Sequence, residues 1–147
     1  MDQAAPDRSE ASEASEVLYA VDEHIAVITL NAPQRMNTIS RTMLDELTCL
    51  LLRANDDADV RCVILTGSGR AFCAGLDLRG ARNDGGISTA SSSTTLNLRN
   101  TPPTVLQAMD TPTICAVNGG AAGYGMDTAL GCDIRMRSTY LAGTGSG

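Results

Sequence analysis

"VILTGSGRAFCAGLDL", residues 63–78, decides how this chain folds. It opens as an aliphatic, β-branched run and closes in small residues that enclose a cysteine, a glycine and an aspartate. With Val60 to Cys62 ahead of it, the run reads as a buried strand over 60–67. The turn that follows admits a reactive thiol, a metal site, or a backbone device in which those side chains are incidental. "GSGR" lacks the Lys-Ser/Thr of a phosphate loop, and "GGAAGYG" further on misses the spacing of a dinucleotide fingerprint.

Upstream, "HIAVITLN" (24–31) alternates Ala26, Ile28 and Leu30 against Ile25, Val27 and Thr29, a strand expected to be largely buried on both faces. "NAPQRMNTIS" (31–40) is a connection, and Ser40 stands where a helix N-cap belongs. Met43, Leu44, Leu47, Leu50, Leu51 and Ala54 recur at helical spacing, so 41–54 should be an amphipathic helix closing at "NDDAD". Strand, helix, strand is the order of a right-handed parallel crossover.

Downstream, "ARNDGGISTASSSTTLNLRNTPPT" (81–104) has few apolar anchors and reads as a mobile loop, at about 80–103, holding one short helix. "TPTICAVNGG" (111–120) is a third buried strand. "AAGYGMDTALGCD" (121–133) is a short helix that Gly131 can end, and "DIRMRSTYLA" begins another strand. Residues 1–16, rich in Ser, Glu and Ala, read as a disordered acidic tail without the features of a signal peptide, and the folded domain is expected over 17–147.

Composition removes several classes of function. A net charge of −6 offers no basic footprint for nucleic acid, and 3% aromatic residues with no Trp leave little for stacking on bases. No apolar run approaches the ~18 residues of a membrane span. Five cysteines, odd in number and without C-x-x-C pairs, fit reduced thiols of a cytoplasmic protein that serve as apolar packing. His24, the sole histidine, stands at the mouth of a strand with no identifiable partner, which leaves no Ser-His-acid triad and no metal site.

Backbone chemistry remains. Two buried strands lead into small residues, Ala71, Ala74 and Gly75 in one case and Ala121, Ala122 and Gly123 in the other. Either the glycines simply permit tight turns, or the two segments aim peptide N–H groups at one point and form an oxyanion hole. If "GYGMD" opens a helix, its free N–H groups and positive end add to that field.

Taken in order, "RMNTIS", "VILTGSGRAFCAGLDL" and "TPTICAVNGGAAGYGMDTALGCDIR" resemble the crotonase, or enoyl-CoA hydratase/isomerase, superfamily from about Val17 to Cys132. The resemblance implies an α/β fold, a crotonase-like spiral of ββα turns. It also implies a truncated form that lacks the family's C-terminal helical region and, with it, most of a trimer interface. The implied ligand is an acyl-CoA thioester, taken as substrate with no further cofactor, and the implied chemistry is water addition to a 2-enoyl-CoA in fatty acid metabolism. By position, the thioester oxygen would sit between the N–H groups of Leu76 and Tyr124. The CoA moiety would lie against Ala74, Gly75, Leu76, Asp77 and Leu78, with Cys73 as filler. Arg35 and Arg79 either offer charge to the CoA phosphates or are simply solvated. Asp127 falls where hydratases carry a catalytic glutamate, one methylene shorter here, and could instead cap the helix. The family's second glutamate would fall on the terminal "TGSG", where no acid stands. The alternatives are a non-catalytic remnant or interaction protein, an isomerase, or a thioester hydrolase.

Overall fold

The computed structural model describes residues 15–79 and 101–137. Strands β1 (Val17–Asp22) and β2 (Ile25–Leu30) form an antiparallel hairpin with Val17 opposite Leu30 and Asp22 opposite Ile25. Glu23 and His24 turn the chain with φ of 47° and 68°, the two positive values that a tight primed hairpin turn demands. β1 was not expected from the sequence, because this turn carries neither the Asn-Gly nor the Asp-Gly that announces a hairpin. His24 is exposed, and its Nδ1 lies 2.8 Å from the Asp59 carbonyl.

A short 3-10 turn at Pro33–Arg35 leads to helix α1 (Arg41–Asp56). Ser40 caps α1 as expected, its hydroxyl accepting the Met43 N–H at 3.1 Å. Met43, Leu44, Leu47, Leu51 and Ala54 are the buried stripe of α1, and Leu50 packs partly buried beside them. The helix delivers the chain to β3 (Cys62–Gly67), parallel to β2, so the crossover is present. Parallel to β3 comes β5 (Thr113–Val117), and parallel to that β7 (Ile134–Arg137), giving a sheet ordered β1-β2-β3-β5-β7.

Each of β3 and β5 turns a corner into a very short strand, β4 (Ala71–Cys73) and β6 (Gly120–Ala121), and these two pair in parallel as a second sheet. The strand expected within 111–120 ends before Asn118 as its sequence suggests, and the chain re-enters a strand, β6, at Gly120, which was not expected. Helix α2 (Pro102–Ala108) follows the undescribed segment, and helix α3 (Tyr124–Gly131) follows β6. Large-sheet strand, small-sheet strand, helix is the ββα turn of a spiral. Of the loop expected at about 80–103, residues 80–100 lie outside the described residues, and Pro102 and Pro103 already belong to α2. Residues 1–14 also lie outside, whereas the Ser15 hydroxyl donates to the Val17 carbonyl at 2.6 Å.

Phe72, Ile28, Leu30, Ile39, Met43, Leu47, Leu51, Leu65 and Leu106 are the largest fully buried side chains. They come from β2, β3, β4, α1, α2 and the connection before α1, so one core lies between the sheet and the helices. One expectation needs correction. The second face of β2 is not buried: Ile25 is 38% exposed and Val27 and Thr29 are half-buried, because the helices pack only on the Ala26, Ile28, Leu30 side. Gly131 is the last residue of α3, as expected; it is buried, and a Cβ there would stand 3.2 Å from the Pro103 carbonyl and from Leu106 Cβ. Its small size lets α2 and α3 approach.

Candidate active site

The corner between β4 and α1 carries the first predicted donor. Ile39 and Leu76 form an isolated parallel bridge, in which the Ile39 N–H donates to the Gly75 carbonyl at 2.7 Å and the Asp77 N–H to the Ile39 carbonyl at 2.9 Å. The Ala74 N–H is held by the Met36 carbonyl at 3.0 Å. In such a bridge residues 75 and 77 face the partner chain, so the Leu76 N–H points the other way. It donates in none of the turn, loop or cap bonds of the described residues. Gly75 makes this possible with φ of 119°, a conformation that side chains resist.

The second predicted donor is reached the same way. Gly123, with φ of 52°, precedes α3, and Tyr124 is the first residue of that helix. Neighbouring N–H groups are taken: Gly125 donates to the Ala122 carbonyl at 2.9 Å and Asp127 to the Gly123 carbonyl at 3.1 Å. The Tyr124 N–H, like that of Leu76, has no partner among those bonds. It projects from the positive end of the helix.

These two segments touch. The Ala122 N–H donates to the Cys73 carbonyl at 3.1 Å, and a Cβ built on Gly75 would lie 3.5 Å from the Ala122 carbonyl. On Gly125 a Cβ would come within 2.3 Å of the Cys73 carbonyl oxygen, so the start of α3 sits directly on the end of β4. Two peptide N–H groups, each placed after a left-handed glycine, thus stand on abutting backbone.

Asp127 lies three residues beyond Tyr124 on the same face of α3. It is exposed, and its carboxylate makes no hydrogen bond or ion pair with a described residue, so it does not cap the helix. Burial holds the Tyr124 hydroxyl above its ordinary pKa; the Thr101 side chain works against that rise and the Asp127 charge adds to it. Burial also pushes the Cys73 thiol up, outweighing its contact with the Gly75 carbonyl at 3.8 Å. A raised thiol in the core is no nucleophile, which suits the filler role.

Around the turn, Ala74 and Leu78 are exposed, Gly75 is buried, and Leu76 and Asp77 are half-buried. Arg35 is not solvated. Its guanidinium lies 3.1 Å from the Glu16 carboxylate and 3.9 Å from that of Asp77, and its Nε donates to the Thr38 carbonyl at 3.1 Å. Arg79 is exposed. Sequence reasoning placed Asn37 in a connection and Asn118 at the end of a strand, and gave neither a part in the site. Asn37 is fully buried, and both amides grip the turn between β3 and β4. Only their long-range partners reveal this.

The enoyl-CoA hydratase/isomerase family model matches residues 20–140. The chain belongs to this family. It is 40% identical over 120 residues to a probable enoyl-CoA hydratase of Mycobacterium tuberculosis, covering 82% of this chain and 46% of the relative. It is 39% identical over 123 residues to the 1,2-epoxyphenylacetyl-CoA isomerase of Escherichia coli, covering 80% and 45%. A crystal structure of an enoyl-CoA hydratase/isomerase from Mycobacterium paratuberculosis superposes with a TM-score of 0.71 at 34% identity, over 84% of this chain and 48% of that one. The α/β crotonase spiral is therefore the fold, and the chain spans about half the length of the curated relatives it matches. Among the described residues no helix is long and apolar enough to cross a membrane.

Proposed function

We propose that this chain forms an acyl-CoA thioester site of the enoyl-CoA hydratase type, with Leu76 and Tyr124 supplying the oxyanion hole and Asp127 the proton transfer. The observation that carries the reading is the pair of unengaged N–H groups on abutting segments. A thioester carbonyl accepting both has its carbon chain polarised toward attack at C3. Asp127 takes a proton from water as the oxygen adds to C3, the electrons move through C2 onto the carbonyl oxygen, and the resulting enolate is held by the two N–H groups. Return of the proton to C2 completes hydration with all atoms accounted for. One such donor is worth roughly 100- to 1,000-fold in rate, so the backbone pair outweighs the carboxylate. The same base and the same hole serve an isomerisation if the proton comes from carbon instead of water.

The CoA portion runs along Ala74 to Leu78. Arg35 reaches a phosphate only by giving up Glu16 and Asp77, so Arg79 is the better candidate for that contact. A second reading, thioester binding without turnover, draws on the exposed Asp127 carboxylate, which no described neighbour orients.

Calorimetric titration of the purified chain with crotonyl-CoA and with free CoA, beside a hydration assay of wild type and Asp127→Asn, separates these readings. Tighter binding of the thioester than of CoA, with turnover lost in the variant, is expected. Binding with no turnover in the wild type selects the second reading. Equal affinity for CoA and its thioester overturns the oxyanion hole.

A further inference from the structure

We infer that Asn37 and Asn118 are positioning residues that tie the two donor segments to one shared reference atom, the Ala71 carbonyl oxygen. The inference rests on the thioester-site reading above. Asn37 lies in the segment that seats the first donor. Its Oδ1 accepts the Ala32 N–H at 2.8 Å, and its Nδ2 donates to the Ser68 carbonyl at 2.9 Å and to the Ala71 carbonyl at 2.9 Å. It is fully buried and adopts φ of 54°, a left-handed conformation that Asn tolerates better than most side chains. Asn118 lies in the segment that leads to the second donor. Its Oδ1 accepts the Gly67 N–H at 3.0 Å, and its Nδ2 donates to the Gly69 carbonyl at 3.2 Å and to the Ala71 carbonyl at 3.0 Å.

The two amides thus both clamp the turn between β3 and β4 and meet on a single oxygen. From there the chain runs through β4 to Leu76, held on the way by Met36 and Ile39, the neighbours of Asn37. On the other side, β6 pairs with β4 and passes directly into Tyr124. Only a side chain that accepts one bond and donates two can do this at each position. Asp lacks the donors, and Ser is too short and has one. Releasing either amide lets one donor segment slide against the other, and a misplacement of ~1 Å at a reacting centre costs ~100-fold in rate.

The test reads the coupling without ligand. In the ¹⁵N-labelled chain, Asn118→Ser is expected to move the amide resonances of both Leu76 and Tyr124, and Asn37→Ser to do the same. Asn55→Ala is the control: that amide oxygen accepts the Asp110 and Thr111 N–H groups, each at 3.1 Å, far along the chain from the donors. It should move neither resonance. Asn118→Gln, which keeps the amide on a longer arm, is read if Asn118→Ser does not fold. With bound crotonyl-CoA carrying ¹³C at the thioester carbon, the infrared downshift of the carbonyl should shrink in both clamp variants and persist in the control. An Asn118 variant that moves Tyr124 but leaves Leu76 unmoved overturns the inference, because the two segments are then independent. Failure of the wild type to bind thioester refutes the proposed function instead, and the resonance test still decides the coupling.

Discussion

Replacing Gly125 with alanine sets two effects of known size against each other. Gly125 lies inside α3, where alanine is favoured over glycine by about 1 kcal/mol. By propensity alone Gly125→Ala should therefore stabilise the protein. The new Cβ, however, would stand 2.3 Å from the Cys73 carbonyl oxygen, 2.8 Å from Cys73 Cβ and 2.9 Å from its carbonyl carbon, where ordinary contact begins at 3.4 Å. The start of α3 must retreat by about 1 Å, and backbone on both sides leaves no flexible side chain to yield. Overpacking of that kind costs about 1–3 kcal/mol, and the upper end applies here. The net expectation is about 2 kcal/mol of destabilisation. At a slope of about 2 kcal/mol per M, the urea midpoint should fall by about 1 M. Gly120→Ala is the control, since nothing lies within 4 Å of a Cβ there, and it should change stability by no more than about 0.5 kcal/mol. A Gly125→Ala midpoint equal to or above wild type would refute the claim that α3 and β4 are in backbone contact. The same ~1 Å retreat displaces the Tyr124 N–H and should lower any turnover ~100-fold.

Other substitutions probe the frame around that contact. Phe72→Ala empties the largest fully buried side chain, and urea unfolding should show a loss of about 3–5 kcal/mol; a loss under about 1 kcal/mol contradicts its place in the core. Ser40→Ala removes the cap of α1, together with the hydroxyl that donates to Glu16, and should cost at least about 1 kcal/mol by the same measurement. Burial raises the pKa of Glu16, but the Ser40 hydroxyl and the Arg35 guanidinium outweigh it and hold the carboxyl below its ordinary value. The unfolded carboxyl, at about 4.3, takes up its proton first as pH falls. The stabilisation is therefore fully present above that value and is lost as pH drops through the lower folded value. Denaturation midpoints between pH 3 and 6 should rise more steeply in wild type than in Glu16→Gln, and equal slopes would exclude the ion pair.

Periodicity carried much of the fold. The stripe from Met43 to Ala54, the alternation from Ala26 to Leu30 and the aliphatic runs before Gly67 and Asn118 are local patterns, and burial of a face needs only local spacing to be written into a chain. The donor positions were assigned through the family resemblance, and each of the two residues follows a glycine of positive φ, Gly75 and Gly123. Tertiary structure decided the rest. β4 and β6 are too short to show a period, and the Glu23-His24 turn hides β1 because its positive φ values are held by the fold rather than announced by glycine. Arg35 looked free until Glu16 and Asp77 came to lie beside it. That the Leu76 and Tyr124 amides stand on touching backbone follows from contacts between residues far apart in sequence, Cys73 with Ala122 and Ala71 with Asn37 and Asn118. A hydrogen bond across such a separation leaves no periodic trace, because its geometry exists only once both ends are folded.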